Sequence, residues 1–161
     1  MNLARLLLAM ALAMTFVLPA TAGGKKNNGA IVAFHMETDP GDNHTMIFTQ
    51  FVAGKERVFR RMPEIGTKDI AEFNPFPSKD GEGFGLVFRI KNNAKHRLAA
   101  VTANSSGKWF IARINGRIVD GVVIDQQIND GELVVWKGVS LTEVNELDKS
   151  FPRFNAKKPR G

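Results

Sequence analysis

Lys108-Trp109-Phe110-Ile111-Ala112-Arg113-Ile114-Asn115-Gly116-Arg117-Ile118-Val119-Asp120-Gly121-Val122-Val123-Ile124-Asp125 holds two β-rich runs, Lys108 to Ile114 and Arg117 to Asp125, separated by two residues. Asn115-Gly116 accepts the two positive φ values of a type I′ turn, so the stretch reads as a β-hairpin. Gly121, inside the second arm, marks a bulge or a close approach by another backbone.

The pattern extends in both directions from this hairpin. Downstream, Asp130-Gly131 turns the chain into a strand at Leu133 to Trp136. Ser140-Leu141-Thr142-Glu143 is a capping box, and Val139 and Val144 stand where a hydrophobic staple closes. Leu141, Val144, Leu147 and Phe151 form the expected buried stripe of that helix, which Pro152 stops. Upstream, Phe84 to Ile90 reads as a strand. Asn92 or Asn93 is expected to cap a helix to about Asn104, with Ala94, Leu98 and Val101 on one face. The order strand, helix, hairpin, strand, helix implies an α+β fold, with two helices on one face of a mostly antiparallel sheet.

Before residue 84 the signals are shorter. Ala30 to Glu37 and Thr45 to Val52 read as strands joined by the turn-rich Thr38-Asp39-Pro40-Gly41-Asp42-Asn43, an N-terminal β-hairpin. A third strand is expected at Arg57 to Met62. Thr67 is expected to cap a short helix carrying Ile70 and Phe73 inward, ending before Pro75.

The two ends read differently from the middle. Arg5 followed by the apolar run Leu6 to Pro19 and by Ala20-Thr21-Ala22 has the form of a cleavable signal peptide over 1–22. Cleavage would leave a flexible lead over 23–29, one α+β domain over 30–152 and a basic, disordered tail over 153–161. No second apolar run of membrane length follows, so no transmembrane span is expected after cleavage, and the expected location is periplasmic or secreted. The chain has no cysteine, so burial and hydrogen bonds alone must hold it together. Its formal net charge is +6, with Arg153, Lys157, Lys158 and Arg160 crowded at the end. Such a tail solubilises, or makes weak contact with an anionic surface or acidic partner. Nucleic acid is not an expected ligand of an exported chain.

Chemistry is thinly represented. His35, Glu37 and His44 are of metal-ligating type within one short segment, but Pro40-Gly41 makes that segment a turn first. His96 lies between Lys95 and Arg97 on a solvated helix face. Asp120 and Asp125 flank an apolar arm as hairpin-edge residues rather than as an acid and base. Gly81-x-Gly83-x-Gly85 precedes a strand instead of leading from one into a helix, which is the wrong context for a dinucleotide. No cofactor and no catalytic residue are expected. Aromatic groups are better represented: Trp109, Phe110 and Trp136 lie on strands, and Phe73-Asn74-Pro75-Phe76-Pro77 reads as a sticky loop or a lid. Such residues are either ordinary core or, on a sheet face that no helix covers, a ligand platform.

From Arg57 to Phe151 the motif order resembles the periplasmic head subdomain of SecD, the accessory subunit of the bacterial protein-export translocase. The resemblance is carried by Met62-Pro63-Glu64-Ile65-Gly66-Thr67-Lys68-Asp69-Ile70 and by Gly85-Leu86-Val87-Phe88-Arg89-Ile90 with the helix to Thr102. It continues through Phe110 to Val119, Val122-Val123-Ile124, Ile128, Gly131, and Gly138 to Leu147. Asp120-Gly121 departs from the family, which has a small residue and then proline there. The family's transmembrane helices have no counterpart. The resemblance implies a ferredoxin-like fold and the holding of an emerging polypeptide, without an export motor. The expected function is therefore a non-enzymatic envelope module that binds a polypeptide or partner protein through Phe73, Phe76, Trp109, Val119 and Trp136, by a sheet edge or an uncovered sheet face. The alternatives are an assembly component of an envelope complex and a metal-dependent enzyme using His35, Glu37 and His44.

Overall fold

The computed structural model describes residues 29–154. The expected signal peptide, most of the lead and the tail from residue 155 lie outside the described residues. The strands are β1 (Val32–Met36), β2 (Ile47–Val52), β3 (Lys55–Arg60), β4 (Ile65–Gly66), β5 (Ile70–Pro77), β6 (Phe84–Ile90), β7 (Trp109–Ile114), β8 (Arg117–Val123) and β9 (Glu132–Val139). The helices are α1 (Asn92–Ala103) and α2 (Leu141–Ser150). The strands divide into an antiparallel sheet β4-β1-β7-β8, a second antiparallel sheet β5-β6-β9 and a separate hairpin β2-β3.

The α+β class follows from one shared core. Val32, Phe34 and Met36 of β1, Phe110 and Ile114 of β7, Phe73 and Phe88 of the second sheet, Ala94 and Leu98 of α1, and Val144 and Leu147 of α2 are buried together. Both helices thus cover the inner faces of both sheets. Asn115 and Gly116 have φ of 51° and 82°, the type I′ turn that the dipeptide requires. The capping box at α2 is present, with Ser140 Oγ accepting from the Glu143 N–H at 3.2 Å and Glu143 accepting from the Ser140 N–H at 2.9 Å. Val139 and Val144 are buried beside it. Leu141 is exposed rather than part of the stripe. At α1 the cap position falls on Lys91, with no side-chain bond, and Asn92 is already helical.

Two expectations before residue 84 are corrected. First, β1 and β2 are not hairpin partners: β1 lies between β4 and β7, and β2 pairs with β3. A strand whose alternate residues are buried on both sides takes a central place in a sheet, and β1 buries Val32, Phe34 and Met36 on one side and His35 on the other. Second, Thr67–Asp69 is a single 3₁₀ turn, followed by strand β5. The Asp69 carboxylate closes that turn by accepting from the Gly66 N–H at 2.9 Å, and Pro75 and Pro77 favour extended backbone before them. At the other end of the chain, residues 153 and 154 lie against β5. The Phe73 N–H donates to the Pro152 carbonyl at 3.1 Å and the Phe154 N–H to the Phe73 carbonyl at 3.2 Å, so Arg153 runs parallel to β5 at its free edge.

The hairpin β2-β3 covers the back of the first sheet. Phe48 and Phe59 face it as a cross-strand pair, with ring centroids 5.8 Å apart, and Phe59 is fully buried. The His35 ring meets Phe48 edge-on at 5.2 Å, and the Arg57 guanidinium lies 5.0 Å from the Trp109 ring centroid. Arg57 also bonds Glu37 at 2.8 Å, and the other oxygen of Glu37 accepts from the Trp109 N–H at 2.8 Å. His35 Nδ1 lies 2.9 Å from the Arg60 carbonyl oxygen. A carbonyl only accepts, so Nδ1 carries the proton.

Burial under the hairpin lowers the His35 pKa below its ordinary 6.5, assisted by Arg113; the bond to the Arg60 carbonyl and the charge of Glu64 act the other way. Because the folded-state pKa is depressed, the unfolded chain binds the proton first as pH falls, and stability declines below pH 6.5. Chemical denaturation from pH 7.5 down to about 5, above the usual carboxylate range, is expected to show this loss in the native protein. It should shrink in His35→Gln, which keeps a donor but cannot titrate. Equal slopes in the two proteins would contradict the assignment.

Candidate functional site

Among the described residues, no helix or hairpin covers the back face of the second sheet. Pro75 has no N–H, so the pair Pro75–Leu86 cannot be a hydrogen-bonded pair of the antiparallel ladder, and the bonded pairs are Glu72–Arg89, Asn74–Val87 and Phe76–Gly85. Side chains alternate accordingly. Phe73, Leu86, Phe88, Leu133 and Val135 point into the core, and Phe76, Val87, Val134 and Trp136 point to the back.

Along that back face the residues form three rows. The first is charged: Arg89 bonds Glu132 at 3.0 Å, approaches Glu72 at 3.6 Å and carries the Phe154 ring 4.0 Å from its guanidinium carbon. The second row is Asn74, Val87 and Val134, all half-buried. The third is aromatic. Trp136 is 54% exposed and meets Phe76 edge-on at 6.3 Å between centroids. Asp80 lies beside it, paired with Lys137 at 3.7 Å, and the Ser78 hydroxyl holds the Asp80 carboxyl below the usual range.

Two glycines make this arrangement possible. The Phe76 ring lies directly on Gly85, filling the place of its missing side chain, as aromatic residues do for glycine in strands. Opposite Gly85, β9 bulges: Phe84 pairs with Val139 and Leu86 with Val135, leaving Trp136, Lys137 and Gly138 against one residue. Gly138 has φ of 84° and its Cα faces the Val119 carbonyl too closely for any side chain. The bulge thus brings β9 against β8 and swings Trp136 toward Phe76.

The edges of the second sheet are unequal. On β5 the outward-facing positions are Phe73, Pro75 and Pro77. Phe73 is occupied by the chain's own residues 152–154, and the prolines have no donor, a common way of blocking strand addition. On β9 the Trp136 N–H donates to Asp120 Oδ2 at 2.7 Å, while Asp120 Oδ1 accepts from the Gly121 N–H at 2.9 Å. One carboxylate therefore caps two strand edges.

No family model matches the sequence, and no curated protein is recognisably similar to it. Among solved structures, the chain is similar to one described as "Structure and function of a membrane component SecDF that enhances protein export", with TM-score 0.53 and 16% identity over 74% of this chain and 60% of that one. A second is "Crystal structure of SecDF in Super-membrane-facing form", with TM-score 0.51 and 18% identity over 76% of this chain and 19% of that one. The fold is SecD-like. At these identities the likeness concerns the fold, and the chain spans less than two thirds of either SecDF structure.

The SecD-like frame separates the residues singled out from the sequence. Phe76 and Trp136 meet on the open face. Val119 is half-buried, the unpaired bulge residue of β8, with its carbonyl against Gly138. Trp109 is half-buried under Arg57 and the hairpin, so the first sheet offers no open aromatic platform. Phe73 is fully buried against Phe88 and touches no solvent. His35, Glu37 and His44 are not assembled: His35 is bonded to Arg60, Glu37 to Arg57 and Trp109, and His44 is exposed on a 3₁₀ turn. Among the described residues no group of three or more His, Cys, Asp or Glu could hold a metal ion. No helix among them is long and apolar enough to cross a membrane. Gly85, Val87, Val134 and the capping role of Asp120 were missed. Their signal was an apolar residue at strand positions expected to be polar, plus a glycine in mid-strand.

Gly85→Ala tests the platform. Its Cβ would lie 2.8 Å from the Trp136 carbonyl oxygen and inside the Phe76 ring. Thermal unfolding is expected to show a loss of about 1–3 kcal/mol, whereas Gly41→Ala, with nothing within 4 Å, is near neutral. An unchanged melting temperature for Gly85→Ala would contradict the packing of Phe76 on the strand.

Proposed function

We propose that this domain is a non-enzymatic binding module of the cell envelope that holds a non-native or extended polypeptide. The observation that carries the reading is the exposed Trp136, meeting the half-buried Phe76 on a sheet face that no helix or hairpin covers among the described residues. Large exposed aromatic residues with an apolar surround are the usual anchors of polypeptide contacts, and tryptophan is prominent among residues whose truncation weakens binding most. The likeness to SecDF, described as a component that enhances protein export, supports the same reading. The wall of Val87 and Val134 lets side chains of different shapes pack, and the charged row at Arg89 bounds it.

A fluorescein-labelled, reduced and carboxymethylated lysozyme serves as a permanently unfolded probe. Fluorescence anisotropy is expected to show binding to the parent protein and at least tenfold weaker binding to Trp136→Ala, about 1.4 kcal/mol or more. The melting temperature of that variant should change little, because the side chain is largely exposed. Equal binding of native and unfolded lysozyme, or an unfolded probe indifferent to Trp136, would refute the proposal.

A further inference from the structure

Strands β8 and β9 run side by side but belong to different sheets, and no backbone hydrogen bond joins them among the described residues. They touch at one end, where Arg117 Nη2 donates to the Gly138 carbonyl at 2.7 Å and Asp120 caps Gly121 and Trp136. Beyond that end a cavity of about 340 Å³ opens between them. Its floor is apolar and belongs to the main core: Phe34, Phe110, Ile124, Leu133 and Val135.

The ladders fix what the two strands present to this opening. On β9, Leu133 and Val135 spend their backbone groups on β6, so the N–H and C=O of Val134 point into the split. On β8, the Ile124 N–H bonds the Lys108 carbonyl at 2.9 Å, so the backbone groups of Val123 and Gly121 point to the same side. Two strand edges thus face each other over an apolar floor, with the Gly121 and Trp136 N–H groups held only by the Asp120 side chain and those of Val123 and Val134 without a partner among the described residues. Backbone groups of this kind pair with an added strand.

The charge of the opening selects among strands. Asp120, Asp125 and Glu132 line it and no lysine or arginine does, in a chain whose net charge is +6. Glu132 shares Arg89 with Glu72, so two carboxylates divide one guanidinium. The field there favours a cationic occupant.

We infer that the split between β8 and β9 takes an extended, apolar polypeptide segment bearing lysine or arginine, added as a strand between the two sheets. This rests on the polypeptide-binding reading above and specifies its mode. Alternate side chains of the segment enter the apolar floor, the others meet the carboxylates, and the Asp120 caps are exchanged for backbone partners. Trp136 stands at the mouth and joins the split to the open face.

The test uses three octapeptides and fluorescence titration with the whole chain: alternating lysine and valine, alternating glutamate and valine, and the lysine peptide N-methylated at alternate residues. The lysine peptide is expected to bind at least tenfold more tightly than either of the others, because one loses charge complementarity and the other its donors. Val134→Pro removes the donor that faces the split, as Pro75 does naturally on β5, while keeping an apolar side chain on the back face, and is expected to weaken the lysine peptide at least tenfold. If that variant fails to fold, the N-methylated peptide tests the same bond on the parent protein. Equal affinity for all three peptides, or for parent and a folded Val134→Pro, would overturn strand addition. Should the unfolded lysozyme probe still depend on Trp136 in that case, the open-face reading survives alone; should neither probe bind, both fall.

Discussion

Strand β1 is buried on both sides, and the rest of the architecture follows from that constraint. Its Val32, Phe34 and Met36 form one wall of the main core, and its opposite side carries His35, with Glu37 just past its end. A polar side that faces inward must find partners. Here the partners come from a separate hairpin, which supplies the Arg60 carbonyl, the Arg57 guanidinium and the rings of Phe48 and Phe59. Burying Phe59 alone contributes roughly 2–3 kcal/mol to holding the hairpin down. The first sheet consequently has no free face. Among the described residues, what remains open is the back of the second sheet.

The same economy of partners shapes the edges. The β5 edge is closed by Pro75, Pro77 and the segment at Arg153, so an incoming chain cannot extend the sheet there. At the other edge the β9 bulge brings Gly138 against Val119 and hands the Trp136 N–H to the Asp120 carboxylate. A side-chain cap is a looser closure than a ladder, since one carboxylate turned aside frees two donors. Aromatic surface and available backbone therefore fall on the same flank, around Trp136.

Much of this was legible in the chain. Asn115-Gly116 and the Ser140–Glu143 box specified their elements because each satisfies a local backbone requirement that few other residues meet. The leading segment was misread for the opposite reason. Thr38 to Asn43 has the composition of a hairpin turn, yet it carries the chain from the central strand out to the covering hairpin, and composition does not distinguish the two. Phe73 and Phe76 show what a change of period does. Three residues apart, they share a face of a helix but lie on opposite faces of a strand, so one is core and the other is surface. The covering of Trp109 was not visible locally, because it depends on a hairpin some 50 residues earlier in the chain.

The protein has two tryptophans, in opposite surroundings. Trp109 lies under Arg57 on the covered sheet, and Trp136 stands open on the other. The most direct measurement is iodide quenching of Trp109→Phe and Trp136→Phe, with and without an unfolded polypeptide. Trp136 is expected to be strongly quenched when free and to become shielded and blue-shifted on binding, while Trp109 stays weakly quenched and unresponsive. Shielding of Trp109 with Trp136 unchanged would place the contact on the sheet that the hairpin covers, and the account would fail.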